Sequence, residues 1–77
     1  MERKEYLQRC QRYAVNQSGV VVFKDTKYYP VAYELSFNNK GQAVHRAILK
    51  DIKTNSLIYC RLDDIKESEA NYEKSSD

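Results

Sequence analysis

An α+β domain is what this chain predicts: an N-terminal helix followed by a four- to five-stranded antiparallel β meander. Three observations lead there. Residues 2–15 repeat apolar side chains at three- and four-residue spacing with no Gly or Pro. From Tyr28 to Phe37, five bulky residues (Tyr29, Val31, Tyr33, Leu35, Phe37) alternate with smaller or polar ones, a period of two that belongs to a half-buried strand. Polar clusters at Asn38-Asn39-Lys40-Gly41 and Lys53-Thr54-Asn55-Ser56 punctuate the rest as turns.

In order, the helix spans 2–15, with Tyr6, Leu7, Cys10, Tyr13 and Ala14 as its inner stripe and Arg3, Lys4, Gln8, Arg9, Gln11 and Arg12 outside. Asn16-Gln17-Ser18-Gly19 stops it. Val20–Lys24 is a short strand, and Asp25-Thr26-Lys27 a tight connection. The long strand 28–37 turns its odd residues inward, and Pro30 marks an edge, a bulge or the strand start. In the next strand, about 42–52, Ala47, Ile48 and Leu49 are consecutive, which predicts two-sided burial or a bulge. Leu57–Leu62 follows with Ile58, Cys60 and Leu62 inward, and a turn at Asp63-Asp64 returns Ile65 to the core. Two architectures satisfy this order: a small SH3-like or partly open barrel, or a flat antiparallel sheet covered by the helix.

At 77 residues the chain holds one domain, expected over 1–65, with an acidic, flexible tail over 66–77. A core this small leaves little room for a catalytic cleft. Residues 1–62 carry eleven Lys/Arg against five Asp/Glu, whereas 63–77 carry two against six. The basic body suits an acidic protein surface or nucleic acid. No apolar leader follows Met1, and the longest strongly apolar run is Val20–Phe23, so the sequence predicts a cytoplasmic protein with no membrane segment.

The chemistry-bearing residues form no catalytic pattern. His45 is the single histidine; Cys10 or Cys60 and Asp51 are the partners it would need, and no spacing joins them. Both cysteines read as reduced core residues. Two Cys and one His give no zinc spacing, and Asp63-Asp64 reads as solvated surface or a turn cap. Gly19 and Gly41 lie in turns outside any phosphate loop, so no cofactor is expected and the protein reads as a non-enzyme. Tyrosine stands out, with seven in the chain. If Ile58 and Cys60 point inward, Tyr59 and Arg61 point outward. Tyr28 lies on the less apolar face of its strand, and Arg46 and Lys50 join them if Ala47 and Leu49 are buried. The candidate surface is therefore Tyr28, Tyr59, Arg61, Arg46 and Lys50. Such a patch suits a protein partner or a stacked, phosphate-bearing nucleic acid, or simply stabilises the sheet by cross-strand contact.

The stretches Tyr28-Tyr29-Pro30 through Phe37-Asn38-Asn39-Lys40-Gly41, and Ala47-Ile48-Leu49-Lys50-Asp51 through Asn55-Ser56-Leu57-Ile58-Tyr59, carry a resemblance. Over about residues 2–65 the chain resembles small uncharacterised proteins carried by bacterial conjugative elements and prophages. That resemblance implies a mobile-element setting and no particular functional residue. The expected function is a small binding module that engages a protein partner. The alternatives are a nucleic-acid binder using the basic, tyrosine-bearing face, and a self-associating module, a homodimer joined through an edge strand and the helix stripe.

Overall fold

The computed structural model describes residues 1–17 and 19–67. Helix α1 (Arg3–Asn16) precedes strands β1 (Val21–Phe23), β2 (Thr26–Phe37), β3 (Ala43–Asp51) and β4 (Leu57–Arg61). A 3₁₀ turn (Leu62–Asp64) leads into β5 (Ile65–Glu67). All pairings are antiparallel, in the order β4-β3-β2-β1-β5. The first four strands form the expected meander, and β5 returns beside β1. Lys66 and Glu67, placed in the tail by sequence, pair with Val22 and Val21; the remainder of that segment lies outside the described residues.

The two outermost strands are joined by only the Leu62–Asp64 turn. Four peptide links from Arg61 to Ile65 reach at most ~14 Å. A planar five-stranded sheet would hold its outer strands ~19 Å apart. The sheet is therefore bent. It remains open, because β4 and β5 do not pair with each other. The expected barrel does not close; the helix-on-sheet alternative describes the chain, with curvature added.

Tyr6, Val21, Ala47, Leu49, Cys60, Leu62 and Ile65 form the core, with Met1, Cys10, Phe23, Tyr28, Tyr33 and Ile58 packed against it. Helix α1 packs chiefly on β2. Its buried stripe differs from the expected one. Leu7 and Ala14 are exposed, whereas Arg9, expected outside, is only 3 % exposed. Arg9 succeeds there because its guanidinium donates to the Val20 carbonyl (3.4 Å) while its backbone and Cβ lie under the chain crossing at Gly19. Gln17 caps the helix in a left-handed conformation, its N–H bonded to the Tyr13 carbonyl at 2.8 Å. Tyr6, fully buried, donates its hydroxyl to the Ile48 carbonyl at 2.8 Å and ties the helix to β3.

The expectation that β2 buries five odd-numbered residues is corrected. Pro30 pairs with Leu49 and Ala32 with Ile48, so Val31 is a bulge without a partner. A bulge shifts the side-chain alternation by one residue. Before it, Tyr28 faces buried Val21 and Pro30 faces buried Leu49; after it, Tyr33 faces buried Ala47. The inner face thus reads Tyr28, Pro30, then Tyr33, Leu35, Phe37. Toward the hairpin end this face lies open, with Leu35 45 % and Phe37 67 % exposed. Proline tolerates the bulge because it has no N–H to leave unpaired.

The turns obey local chemistry. Lys24 and Asp25 both have positive φ (50° and 63°) and connect the paired residues Phe23 and Thr26. The β1–β2 turn is therefore these two residues, one step earlier than expected, because type I′ geometry matches strand twist. Asn38 Oδ1 accepts the N–H groups of Lys40 (2.9 Å) and Gln42 (3.0 Å) around left-handed Gly41. Asp51 Oδ1 accepts those of Lys53 (2.7 Å) and Thr54 (3.0 Å), which holds its carboxyl below the usual carboxylate range.

Candidate functional site

The register of β2, β3 and β4 decides which predicted residues meet. Residues directly opposite on neighbouring strands share a face. Buried Ala47 and Leu49 set the inner face of β3, opposite Cys60 and Ile58. The outer face then carries three cross-strand rows: Glu34–Arg46–Arg61, Ala32–Ile48–Tyr59 and Tyr29–Lys50–Leu57.

Three of the five candidate residues come together. Arg46, Tyr59 and Arg61, with Glu34, line a shallow open depression. Tyr59 is 63 % exposed although it is a large aromatic on a strand. Arg46 holds Glu34 at 3.3 Å, a solvent-exposed pair. Arg61 stands directly across from Arg46, and among the described residues it has no carboxylate partner.

The other two leave the patch. Tyr28 is turned inward, because it precedes the bulge and so keeps the opposite alternation; it packs on the core and against Phe23, ring centroids 6.3 Å apart. Lys50 lies in the outer row, but its ammonium donates to the Tyr13 hydroxyl at 3.3 Å. Tyr13 also stacks on Tyr29 at 4.8 Å, so this corner belongs to the helix–sheet junction. Two residues not singled out by sequence complete the surface. Leu57, 54 % exposed, shares the parity of Tyr59 and Arg61, a signal available from alternation alone. Glu34 becomes visible only with the register, since nothing in one sequence places it opposite Arg46.

The catalytic set does not assemble. The Tyr33 hydroxyl is hydrogen-bonded to His45 Nδ1, and the two rings stack with centroids 5.8 Å apart. Asp51 lies six residues along β3 from His45, about 20 Å at strand rise, and is engaged by its turn. Burial and nearby Asp64 push the Cys60 thiol up to about 11, and burial raises Cys10, so neither is poised as a thiolate. Among the described residues, no three His, Cys, Asp or Glu side chains converge as a metal site. Asp63 and Asp64 are exposed in the 3₁₀ turn. Among the described residues no helix is long and apolar enough to cross a membrane. No protein-family model matches the chain, and neither the curated proteins nor the solved structures provide a match.

Proposed function

We propose that the chain is a non-enzymatic binding module whose partner is a protein, docked on the outer face of β3 and β4 through Arg46, Tyr59 and Arg61. The observation that carries this reading is Tyr59, left 63 % exposed on an outermost strand between the Arg46–Arg61 row and Leu57. Tyrosine and arginine dominate the energetics of protein interfaces because each joins a large apolar body to directional donors. A small accessory or anti-defence factor of a mobile element, the setting that the resemblance implies, fits a domain with a recognition surface and no catalytic set.

Nucleic acid, the competing occupant, finds less here. Tyr28 is turned inward, Lys50 is engaged by Tyr13, and Glu34 sets a carboxylate beside Arg46. A photo-crosslinking residue at position 59, with a control at exposed Lys40 on the hairpin tip, tests the reading in bacterial lysate. A discrete protein adduct at 59 only, lost in the Arg61→Glu background, is expected. Equal adducts at both positions, none at all, or a nuclease-sensitive adduct overturns it.

A further inference from the structure

Resting on that reading, we infer that the partner presents an extended acidic segment, which adds as a sixth strand along the free edge of β4 and places a carboxylate against Arg61. Three features point there. First, β4 is the last strand of the sheet, and among the described residues no strand pairs with its outer edge. Its unpaired backbone groups are a template for another strand. Second, its outward side chains, Leu57, Tyr59 and Arg61, are all exposed and set at the spacing of two that strand addition reads. Third, the charge row is unfinished. Across the sheet it runs Glu34, Arg46, Arg61, so two arginines stand directly opposed, and among the described residues Arg46 alone of the two has a carboxylate. Like charges directly opposite destabilise a sheet. A carboxylate on the added strand opposite Arg61 would complete the row as acid, base, base, acid.

The register then specifies the ligand. With an acidic residue opposite Arg61, the residue two positions on lies opposite Tyr59 and the one four positions on lies opposite Leu57. Both should be apolar, β-branched or aromatic, because cross-strand pairs of that kind reinforce a sheet. The motif is acid-x-apolar-x-apolar in an otherwise extended peptide. A second copy of the chain does not supply it through the same edge: β4, Leu-Ile-Tyr-Cys-Arg, contains no carboxylate. A nucleic-acid strand would bring many phosphates past Glu34 and could not pair with the backbone edge.

The test pans a displayed library of random nonapeptides against the intact protein and against Arg61→Glu, an exposed substitution whose fold is checked by its thermal melt. Expected is enrichment of Asp or Glu two residues before an apolar position, its loss on Arg61→Glu, and a matching synthetic peptide that shifts the amide resonances of residues 57–61. Its affinity should fall about tenfold or more on Arg61→Glu, as for loss of a charge-assisted contact. No enrichment, enrichment indifferent to Arg61, or resonance shifts away from β4 overturns the strand-addition proposal. If the crosslink at 59 still captures a protein, the binding-module reading survives that failure. A single-stranded oligonucleotide that shifts the same amides more strongly than the peptide overturns both.

Discussion

Substituting alanine for glycine at two turn positions separates backbone conformation from contact. Gly19 and Gly41 have nearly the same positive φ, 81° and 77°. A Cβ built on Gly41 meets nothing within 4 Å, whereas one built on Gly19 comes within 3.1 Å of the Arg9 carbonyl oxygen and 3.4 Å of its Cα. Alanine in a left-handed conformation costs about 1–2 kcal/mol, partly offset by the lower entropy of its unfolded chain. Gly41→Ala should therefore lose about 1 kcal/mol net, equivalent to ~4–8 °C in Tm for a domain of this size. At Gly19 the neighbour is helix backbone in a residue anchored by burial and by the Val20 carbonyl, so it cannot swing aside. Overpacking of that kind adds about 1–3 kcal/mol. Thermal and urea unfolding followed by circular dichroism should place Gly19→Ala clearly below Gly41→Ala with unchanged urea dependence. Equal losses for the two variants would refute the claim that the loop after α1 closes against Arg9.

Four further outcomes are expected. Replacing Lys24-Asp25 by Asn-Gly puts residues suited to positive φ into the β1–β2 turn and should stabilise by about 1 kcal/mol; an unchanged urea midpoint counts against the type I′ assignment. Tyr6→Phe removes the buried donor to Ile48 and should cost about 1–3 kcal/mol in urea unfolding, because the carbonyl is left without that partner; a coincident curve means the bond contributes nothing. Asp51 has a lowered folded pKa, so its stabilisation is fully present above the unfolded carboxylate range and is lost as pH falls through the folded value. The Tm gap between the native chain and Asp51→Ala should thus be wide at neutral pH and narrow in strong acid; a gap that widens in acid contradicts this. Cys60 should resist a thiol-reactive chromogen at mildly alkaline pH until the protein is unfolded, and rapid labelling of the folded form would show that its burial is breached.

The elements were legible because their signals are local. The helix shows as a 3.6-residue period, and the Asn38–Gly41 and Lys53–Ser56 turns show as polar clusters; the structure adds that Asn38 and Asp51 satisfy the backbone of these turns. The return of Ile65 was legible too, since an isolated apolar residue after two aspartates has few places to go but the core. The inward turn of Arg9 was not: an arginine on an amphipathic helix reads as solvent-facing until the chain crossing at Gly19 is seen to close against its backbone and Cβ. Closure of the sheet is likewise a property of the whole, fixed by which edges find partners.

One residue accounts for most of what the sequence concealed about the surface. Uninterrupted alternation from Tyr28 to Phe37 puts Tyr29 and Val31 inside and Tyr28 outside. The bulge at Val31 reverses that for the first half of β2 only, so Tyr33 remains inside, Pro30 replaces Val31 in the core, and Tyr28 is absent from the outer face. The cue was present in the unlikely pair of facts that Pro30 lies within a long strand and that Ala47-Ile48-Leu49 faces it without alternating cleanly. Each was interpretable as a bulge on its own strand; only the register shows that both report the same defect, located on β2. On β4, five residues long and without a bulge, simple alternation put Tyr59 and Arg61 on the face where the register has them, and the same alternation extends to Leu57, which the sequence reading left unassigned. The candidate residues that stay together on one face are Arg46 and the two carried by the regular edge strand, whose outer backbone edge no other strand pairs with among the described residues.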